Sequence, residues 1–327
     1  MTPGEAVAPD SQVDRAQRLE RLHRLAGPGR IVAGIALDHR DSFRVVLERQ
    51  GIEARTTADL QDLKRALVRV LAPAATALML DAELGGPALE DGSVPESVGL
   101  IMPLEAQGYE AQGDHRLTTL LDDFSPFDAA RIGADACKLL LPYRVDHEVD
   151  AERQDALVAA TVAACHRAGL PLVLEPVVHR LATETEAGFA AAYSTLVVGA
   201  VARLRPLGAD LLKLPFPIRD PAGTSDADGR PDGRAACRAL ADACGATPWV
   251  LLGGAGATVP DVLADQIRIA GENGASGFLA GRAIWGPVLR SDLEETVRLA
   301  TVAGLPAFAR CRAIAEQTAR PLPADPS

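Results

Sequence analysis

The middle of the chain contains two short apolar runs, ACKLLLP at residues 136–142 and PLVLEP at residues 171–176, with a long amphipathic stretch between them. Runs this continuously apolar predict strands that are buried on both faces, as in a parallel sheet covered by helices. Residues 149–168 have the length and polarity of one covering helix. This part of the sequence therefore predicts a strand, a crossover helix and a parallel strand.

The same alternation continues in both directions along the chain. Further apolar runs lie at residues 31–38, 76–81, 98–103, 210–215, 248–253 and 277–281. Amphipathic stretches predict helices at residues 11–26, 57–71, 126–133, 186–207, 233–244, 260–273 and 290–303. The connection between the second and third strands shows no convincing helix. Glycines precede several strands and predict helix C-caps there, namely Gly133, Gly169, Gly208 and Gly274.

Eight strand and helix units in roughly 250 residues predict a (β/α)₈ TIM barrel, with a doubly wound open sheet as the alternative. We expect a single domain over residues 1–327, with the barrel at about 31–303. A helical extension should precede the barrel, and a C-terminal helix should follow at about 307–318. The polar residues 1–10 are expected to be disordered.

Charge and composition limit the possible partners. The 327 residues include 33 basic and 44 acidic side chains, which gives a net charge of −11. This charge disfavours nucleic acid and anionic membranes as partners. The N-terminus lacks the apolar segment of a secretory signal, and no apolar run was judged long enough to span a membrane, so a cytoplasmic location is expected. The five cysteines show no CxxC spacing and are expected to be reduced packing residues.

Lysine is rare in this sequence, because only Lys64, Lys138 and Lys213 stand among the 33 basic residues. A bias toward arginine explains the number but not the positions. Lys64 follows Asp62 in a predicted helix and is expected to lie on the solvated surface. Lys138 and Lys213 fall inside the predicted fourth and sixth strands, where the neighbouring residues are apolar.

Two carboxylates accompany these strand lysines: Asp38 ends the first strand and Glu175 ends the fifth. In a TIM barrel the active site lies at the C-terminal ends of the strands. A buried ion-pair network that holds the barrel together is one interpretation. The other rests on the choice of lysine, because a desolvated lysine, unlike arginine, loses its proton and attacks carbonyls. Two lysines and an acid are the minimum set for Schiff-base chemistry.

Glycine-rich turns follow the last two predicted strands. Gly253 and Gly254 begin the sequence GGAGAT, and Gly281 precedes Arg282. The loops after strands seven and eight of such barrels commonly bind phosphate through backbone N–H groups, although simple barrel closure is the alternative. The pattern is not GxGxxG, which argues against a dinucleotide.

Metal and cofactor chemistry find little support in the sequence. The six histidines include no HxH or HExxH pair, and only His39 and His179 lie just beyond strand ends. A zinc-dependent aldolase would need histidines from distant parts of the chain, and nothing specific indicates pyridoxal phosphate. We therefore expect neither a metal nor a cofactor in the active site.

Several segments together resemble one enzyme family over residues 31–288. They are ALDHR (36–40), LMLDAELGGPA (78–88), QGYEAQGDHRLTTLLDDFS (107–125), CKLLLPYRVD (137–146), LEPVV (174–178), GADLLKLPFP (208–217), PWVLL (248–252) and GASGFLAGRAIW (274–285). The chain resembles the class I tagatose 1,6-bisphosphate aldolases, a family that includes the sulfofructosephosphate aldolases. This resemblance implies a metal-independent barrel enzyme that cleaves a ketose 1-phosphate or 1,6-bisphosphate, or a 6-sulfo analogue, into dihydroxyacetone phosphate and an aldehyde.

The resemblance also implies roles for individual residues. Lys213 matches the family's Schiff-base lysine, Lys138 its second lysine, Glu175 its acid–base residue and Asp38 its strand-one aspartate. The phosphate-binding turns match Gly253, Gly254, Gly281 and Arg282, and Arg40 in the ALDHR segment is a further candidate for substrate binding. Two departures stand out: His39 replaces a glutamine, and the turn after strand seven contains only Gly and Ala. A homodimer or homotetramer is the family expectation.

Two other functions are compatible with these residues. A non-catalytic sensor of sugar phosphates would retain the barrel and the phosphate turns. A Schiff-base lyase acting on a keto acid would retain the lysines but would need cationic groups for a carboxylate.

Overall fold

The computed structural model describes residues 12–52, 56–106, 110–112, 114–219, 233–253 and 260–324. Eight parallel strands close into a barrel in the order β1-β10-β9-β8-β7-β6-β3-β2. Their bounds are β1 Val32–Leu37, β2 Ala77–Leu80, β3 Gly99–Pro103, β6 Ala136–Tyr143, β7 Leu172–Val178, β8 Leu211–Pro215, β9 Trp249–Gly253 and β10 Gly277–Ala280. The predicted (β/α)₈ barrel is confirmed, and the open sheet is excluded because β1 pairs with both β2 and β10.

Helices surround the barrel and extend it at both ends. They are α1 Gln12–Arg24, α2 Asp41–Arg49, α3 Thr57–Leu71, α4 Ala82–Glu90, α5 Pro126–Arg131, α6 Glu148–Arg167, α7 Glu186–Leu204, α8 Gly233–Cys244, α9 Pro260–Glu272, α10 Arg282–Trp285, α11 Leu293–Leu299 and α12 Leu305–Thr318. The predicted C-terminal helix at 307–318 corresponds to α12. The predicted disorder of residues 1–10 lies outside the described residues.

The sequence did not predict helices α2, α4 and α10 or a small hairpin. Helix α4 fills the connection that showed no helix, because Asp81 caps it through the Leu84 N–H at 2.7 Å despite an interior Pro87. Helix α2 is short and follows β1 directly. A small antiparallel hairpin, β4 Glu110–Gln112 and β5 His115–Leu117, is inserted after β3.

The inside of the barrel divides into an apolar lower part and a charged upper part. Inward-facing residues near the N-terminal ends form an apolar cluster that is closed by Leu22 of helix α1 and by Leu25 in the turn after it. Two residues further along their strands, Lys138 and Lys213 follow Ala136 and Leu211 on the same face. A larger apolar core lies between the sheet and the surrounding helices. The charged layer therefore rests on a packed floor.

The predicted location of Lys64 is wrong. Its side chain is fully buried between α3 and the sheet, where its Nζ forms an ion pair with Asp81 and donates to the His39 carbonyl at 2.7 Å. The sequence placed it beside Asp62 and so suggested a surface, but position 64 lies on the buried face of α3 with Leu60 and Leu67. The five cysteines are buried thiols, as expected.

The judgement that no apolar segment could span a membrane also needs correction. Residues Glu186–Leu207, which comprise α7 and a 3₁₀ turn, are long and apolar enough to cross a membrane by length and composition alone. In this structure α7 packs on the barrel through buried residues such as Phe189, Leu196 and Val201. Its apolar character is accounted for by this packing.

Candidate active site

A cavity of about 250 Å³ opens at the C-terminal ends of the barrel strands. It brings together the candidate residues of the sequence analysis that the structure describes: Asp38, Arg40, Lys138, Glu175, Lys213, Gly253, Gly281 and Arg282. Gly254 lies outside the described residues. These residues come from six different strands and loops, so barrel closure alone makes them neighbours.

Lys213 and Glu175 form the inner pair of the cavity. Lys213 is 2% exposed, and its Nζ donates to Glu175 Oε2 at 2.9 Å. On its other side the amine contacts the Met79 sulfur at 3.7 Å, on the apolar floor of the barrel. Among the described residues the Lys213 amine thus has one carboxylate partner and an apolar neighbour.

Lys138 has a different environment, because three carboxylates surround its Nζ. The distances are 2.5 Å to Glu105 Oε1, 2.8 Å to Asp38 Oδ2 and 3.4 Å to Glu175 Oε2. Burial lowers the pKa of Lys138, but the charges of these carboxylates outweigh it and hold the pKa well above its ordinary value. Lys138 is therefore a permanent ammonium group.

The carboxylates respond in opposite directions to this shared ammonium. Burial raises the pKa of Asp38, but the charges of Lys138, His39 and Lys213 outweigh it and hold that pKa far below its usual range. Burial and the negative charge of nearby Asp38 raise the pKa of Glu105. The positive charge of Lys138 lowers it, but the net pKa stays above the ordinary value. Asp38 is thus firmly ionised, whereas Glu105 holds a proton more readily than an ordinary glutamate.

Glu105 was missed by the sequence analysis. It follows β3 by two residues, and besides Lys138 it accepts from the Leu140 N–H at 3.1 Å. A signal was available, because Glu105 follows its strand by only two residues and the active site of such barrels lies at the C-terminal ends of the strands. Asp38 Oδ2 accepts from Lys138 Nζ at 2.8 Å.

Arg282 provides a cationic side chain at the mouth of the cavity. Its Nε is buried and finds no hydrogen-bond partner in the described part of the chain. Burial lowers the pKa of Arg282, against the opposing charges of Glu175 and Asp38. The adjacent Gly281 leaves little room for a side chain, since a Cβ there would lie 3.1 Å from the Ala36 oxygen. The backbone and guanidinium are placed to receive an anion.

His39 and Arg40 form the wall of the cavity after β1. The His39 ring packs edge-on to Trp285, with centroids 5.1 Å apart, and its Nδ1 lies 3.6 Å from Asp38 Oδ1. Burial lowers the pKa of His39 to about 3 despite the attraction of Asp38, so the ring is neutral near pH 7. Arg40 is buried and donates to the Glu105 carbonyl at 2.7 Å, so part of its guanidinium is engaged by the protein.

A TIM barrel whose mouth combines two lysines, three carboxylates and two arginines defines an enzyme site suited to attack of a lysine amine on a carbonyl substrate. The model of the DeoC/LacD family aldolases matches residues 35–286, about three quarters of the chain. The chain belongs to this family, which confirms the resemblance seen in the sequence. It is an aldolase, a carbon–carbon lyase.

Relatives that carry aldolase names match most of the chain, and solved structures share its fold. A tagatose 1,6-diphosphate aldolase of Listeria monocytogenes is 27% identical over 279 residues, covering 82% of this chain and 81% of that protein. A protein of the same name from Streptococcus pneumoniae is 28% identical over 292 residues, covering 85% and 88%. The fold is similar to that of a fructose-bisphosphate aldolase from Slackia heliotrinireducens, with a TM-score of 0.65, 21% identity and 94% coverage of both chains.

Proposed function

We propose that this aldolase is a class I enzyme, in which the Lys213 amine forms a Schiff base with the C2 carbonyl of a ketose 1-phosphate or 1,6-bisphosphate, or a 6-sulfo analogue. The products are dihydroxyacetone phosphate and an aldehyde. The observation that carries the proposal is the difference between the two cavity lysines. Lys138 is held as an ammonium by three carboxylates, whereas Lys213 contacts one carboxylate and a thioether.

The amine must first lose its proton, and Glu175 is placed to take it. Glu175 Oε2 lies 2.9 Å from Lys213 Nζ, and the fixed positive charge of Lys138 is 3.4 Å from the same oxygen. The neutral amine then attacks C2 to give a carbinolamine. Return of the proton from Glu175 to the carbinolamine hydroxyl releases water and leaves a cationic iminium.

Carbon–carbon cleavage follows from the charge on the iminium. Glu175, again a carboxylate, accepts the proton of the C4 hydroxyl while the C3–C4 bond breaks. The electron pair of that bond moves toward the iminium nitrogen, which gives an enamine, and the aldehyde departs. Protonation of the enamine at C3 and hydrolysis of the iminium release dihydroxyacetone phosphate and regenerate Lys213.

The other residues of the cavity bind and orient the sugar. We assign the substrate hydroxyls to Asp38 and Lys138, both charged and buried at the cavity wall. The C1 phosphate is assigned to the turns at Gly253 and Gly281 together with Arg282, and Gly254 belongs to the same predicted turn. The similarity to tagatose 1,6-diphosphate aldolases favours a ketohexose bisphosphate as the substrate. Assembly into a homodimer or homotetramer, and a cytoplasmic location, stay predictions.

The test is covalent trapping. Borohydride reduction in the presence of dihydroxyacetone phosphate should attach one adduct to Lys213, detected by peptide mass spectrometry. Lys213→Met should abolish the adduct, and Arg65→Met, on the exposed face of α3, serves as a control that should not. An adduct on Lys138 instead, or none at all with an active enzyme, would contradict the proposal.

A further inference from the structure

Outside the cavity, a second group of side chains has the composition of a metal site. His115 lies on β5, His147 immediately precedes α6, and Asp150 lies in the first turn of α6. One ligand atom from each residue lies within 4.8 Å of the other two. His147 and Asp150 are three residues apart, whereas His115 is distant in the sequence and reaches them because the β4–β5 hairpin packs against α6.

The donors are arranged around a single carboxylate. His115 Nδ1 lies 2.9 Å from Asp150 Oδ1, and His147 Nδ1 lies 3.4 Å from Asp150 Oδ2. Ligand atoms bound to one tetrahedral zinc ion lie about 3.3–3.5 Å apart, given bond lengths of about 2.0–2.2 Å. The 3.4 Å distance lies within this range and the 2.9 Å distance is shorter, so a side-chain rotation that moves His115 slightly away from the carboxylate would let both imidazoles and Asp150 bind one ion.

Two further contacts indicate that the group is more than an ordinary ion pair. The His147 Nδ1 is buried and has no hydrogen-bond partner within the described residues, although it faces a carboxylate oxygen. The Arg116 N–H donates to Asp150 Oδ2 at 3.3 Å, which orients the carboxylate as outer hydrogen bonds orient metal ligands. Asp150 is buried, whereas His115 is half exposed, so an ion can reach the group from solvent.

We propose that His115, His147 and Asp150 bind a divalent transition-metal ion, with zinc as the best match to a set of two imidazoles and one carboxylate. The ion links the hairpin to α6. One turn further along α6, Gln154 Nε2 donates to the Pro142 carbonyl at 3.0 Å, and its Oε1 accepts from the Thr118 N–H. Because Thr118 lines the active-site cavity, the ion would stabilise that wall from outside without contacting the substrate.

The experiment titrates Zn²⁺ into tag-free, metal-stripped full-length protein by calorimetry and measures bound metal after dialysis. We expect one ion per chain, a visible absorption band typical of tetrahedral sites when Co²⁺ replaces zinc, and a higher melting temperature with metal. His115→Gln and His147→Gln should each weaken binding by on the order of 100-fold. Circular dichroism checks that both variants remain folded.

His166 provides the matched control. Its Nε2 pairs with Asp210 Oδ2 at 2.9 Å in a similar contact, but this pair is not part of the three-ligand group. His166→Gln should leave zinc binding unchanged. Equal loss of binding in His166→Gln, or unchanged binding in the His115→Gln/His147→Gln double variant, would overturn the proposal. Because binding is read directly, its failure is separate from that of the Schiff-base proposal.

Discussion

Two of the buried lysines, Lys213 and Lys64, each pair with one carboxylate, and the two pairs differ in their surroundings. Lys213 and Glu175 lie inside the barrel and line an open cavity. Lys64 and Asp81 lie outside the barrel, in the core between the sheet and its helices, where Lys64 also donates to the His39 carbonyl. Burial and charge are similar, but access to a substrate is not. A buried lysine is therefore a candidate nucleophile only where a cavity reaches it.

His39 connects the two regions. Its carbonyl accepts from Lys64, while its ring lines the cavity next to Asp38. The Lys64 pair thus supports the backbone that carries two cavity residues. The four substitutions below test this division between a reactive pair and a supporting pair.

The largest effect is expected for Lys213→Met. Turnover should fall by more than about 10³-fold, because no other cavity amine of the described residues is placed to form the iminium. The unfolding free energy should stay within ~1 kcal/mol of the wild type, because Glu175 keeps Lys138 as a partner. Steady-state kinetics and chemical denaturation measure the two quantities. A large loss of stability would show that this pair is also structural.

Lys64→Met should show the opposite pattern. Removing one member of a buried ion pair costs about 3–5 kcal/mol, because Asp81 is left as an uncompensated charge. Arg65→Met is the control on the same helix, and its exposed ion pair with Asp62 should contribute less than ~1 kcal/mol. Denaturant unfolding gives both values. Equal unfolding free energies of the two variants would show that the Lys64 ion pair does not stabilise the fold.

Arg282→Met tests the anion site of the cavity. A hydrogen bond to a charged group contributes about 1.5–3 kcal/mol, so KM for a phosphorylated ketose should rise by roughly 10- to 150-fold. The effect on kcat should be smaller. Arg290→Met, an exposed arginine further along the same segment, should leave KM unchanged. A KM unchanged in Arg282→Met would place the phosphate elsewhere.

His39→Gln should alter the pH dependence of stability. The folded-state pKa of about 3 lies below the ordinary value near 6.5, so below pH 6.5 the unfolded chain binds more protons. Stability should therefore fall as the pH falls from about 6.5 toward about 3, by about 2 kcal/mol at pH 5.

In the glutamine variant this contribution disappears. Burial also lowers the pKa of His179, to about 4, so His179 still makes stability fall as the pH falls. The slope of unfolding free energy against pH therefore decreases but does not vanish. Denaturation series at pH 7.5 and pH 5 compare the two proteins. The same slope in both would show that His39 is not buried as a neutral ring.

The sequence predicted the eight strands because each is a short apolar run between amphipathic segments. A strand that is buried on both faces needs apolar residues at successive positions, which produces such a run. It did not predict α4, whose Gly85, Gly86 and Pro87 are poor helix formers. That helix depends on the Asp81 cap and on packing with α3. Glu105 was not predicted because it lies two residues beyond the apolar run of β3, where the strand pattern has already ended.

Lysine scarcity alone did not separate a reactive residue from a structural one. All three lysines are buried. The ability of lysine, unlike arginine, to lose its proton is one reason for a lysine at a buried position. Lys64 shows a second reason, because its single ammonium donates to both Asp81 and the His39 carbonyl in a tight core. Only the cavity separates Lys138 and Lys213 from it.

By itself, the sequence determined the barrel and the strand positions of Asp38, Lys138, Glu175 and Lys213, because strand periodicity fixes which residues face inward. Tertiary structure decided which charges meet. It gave Lys138 three carboxylates and Lys213 one, buried Lys64 against Asp81, and brought His115 and His147 to Asp150. Apart from His147 and Asp150, which are three residues apart, these contacts join residues distant in the sequence, and local sequence patterns carry no information about such distances.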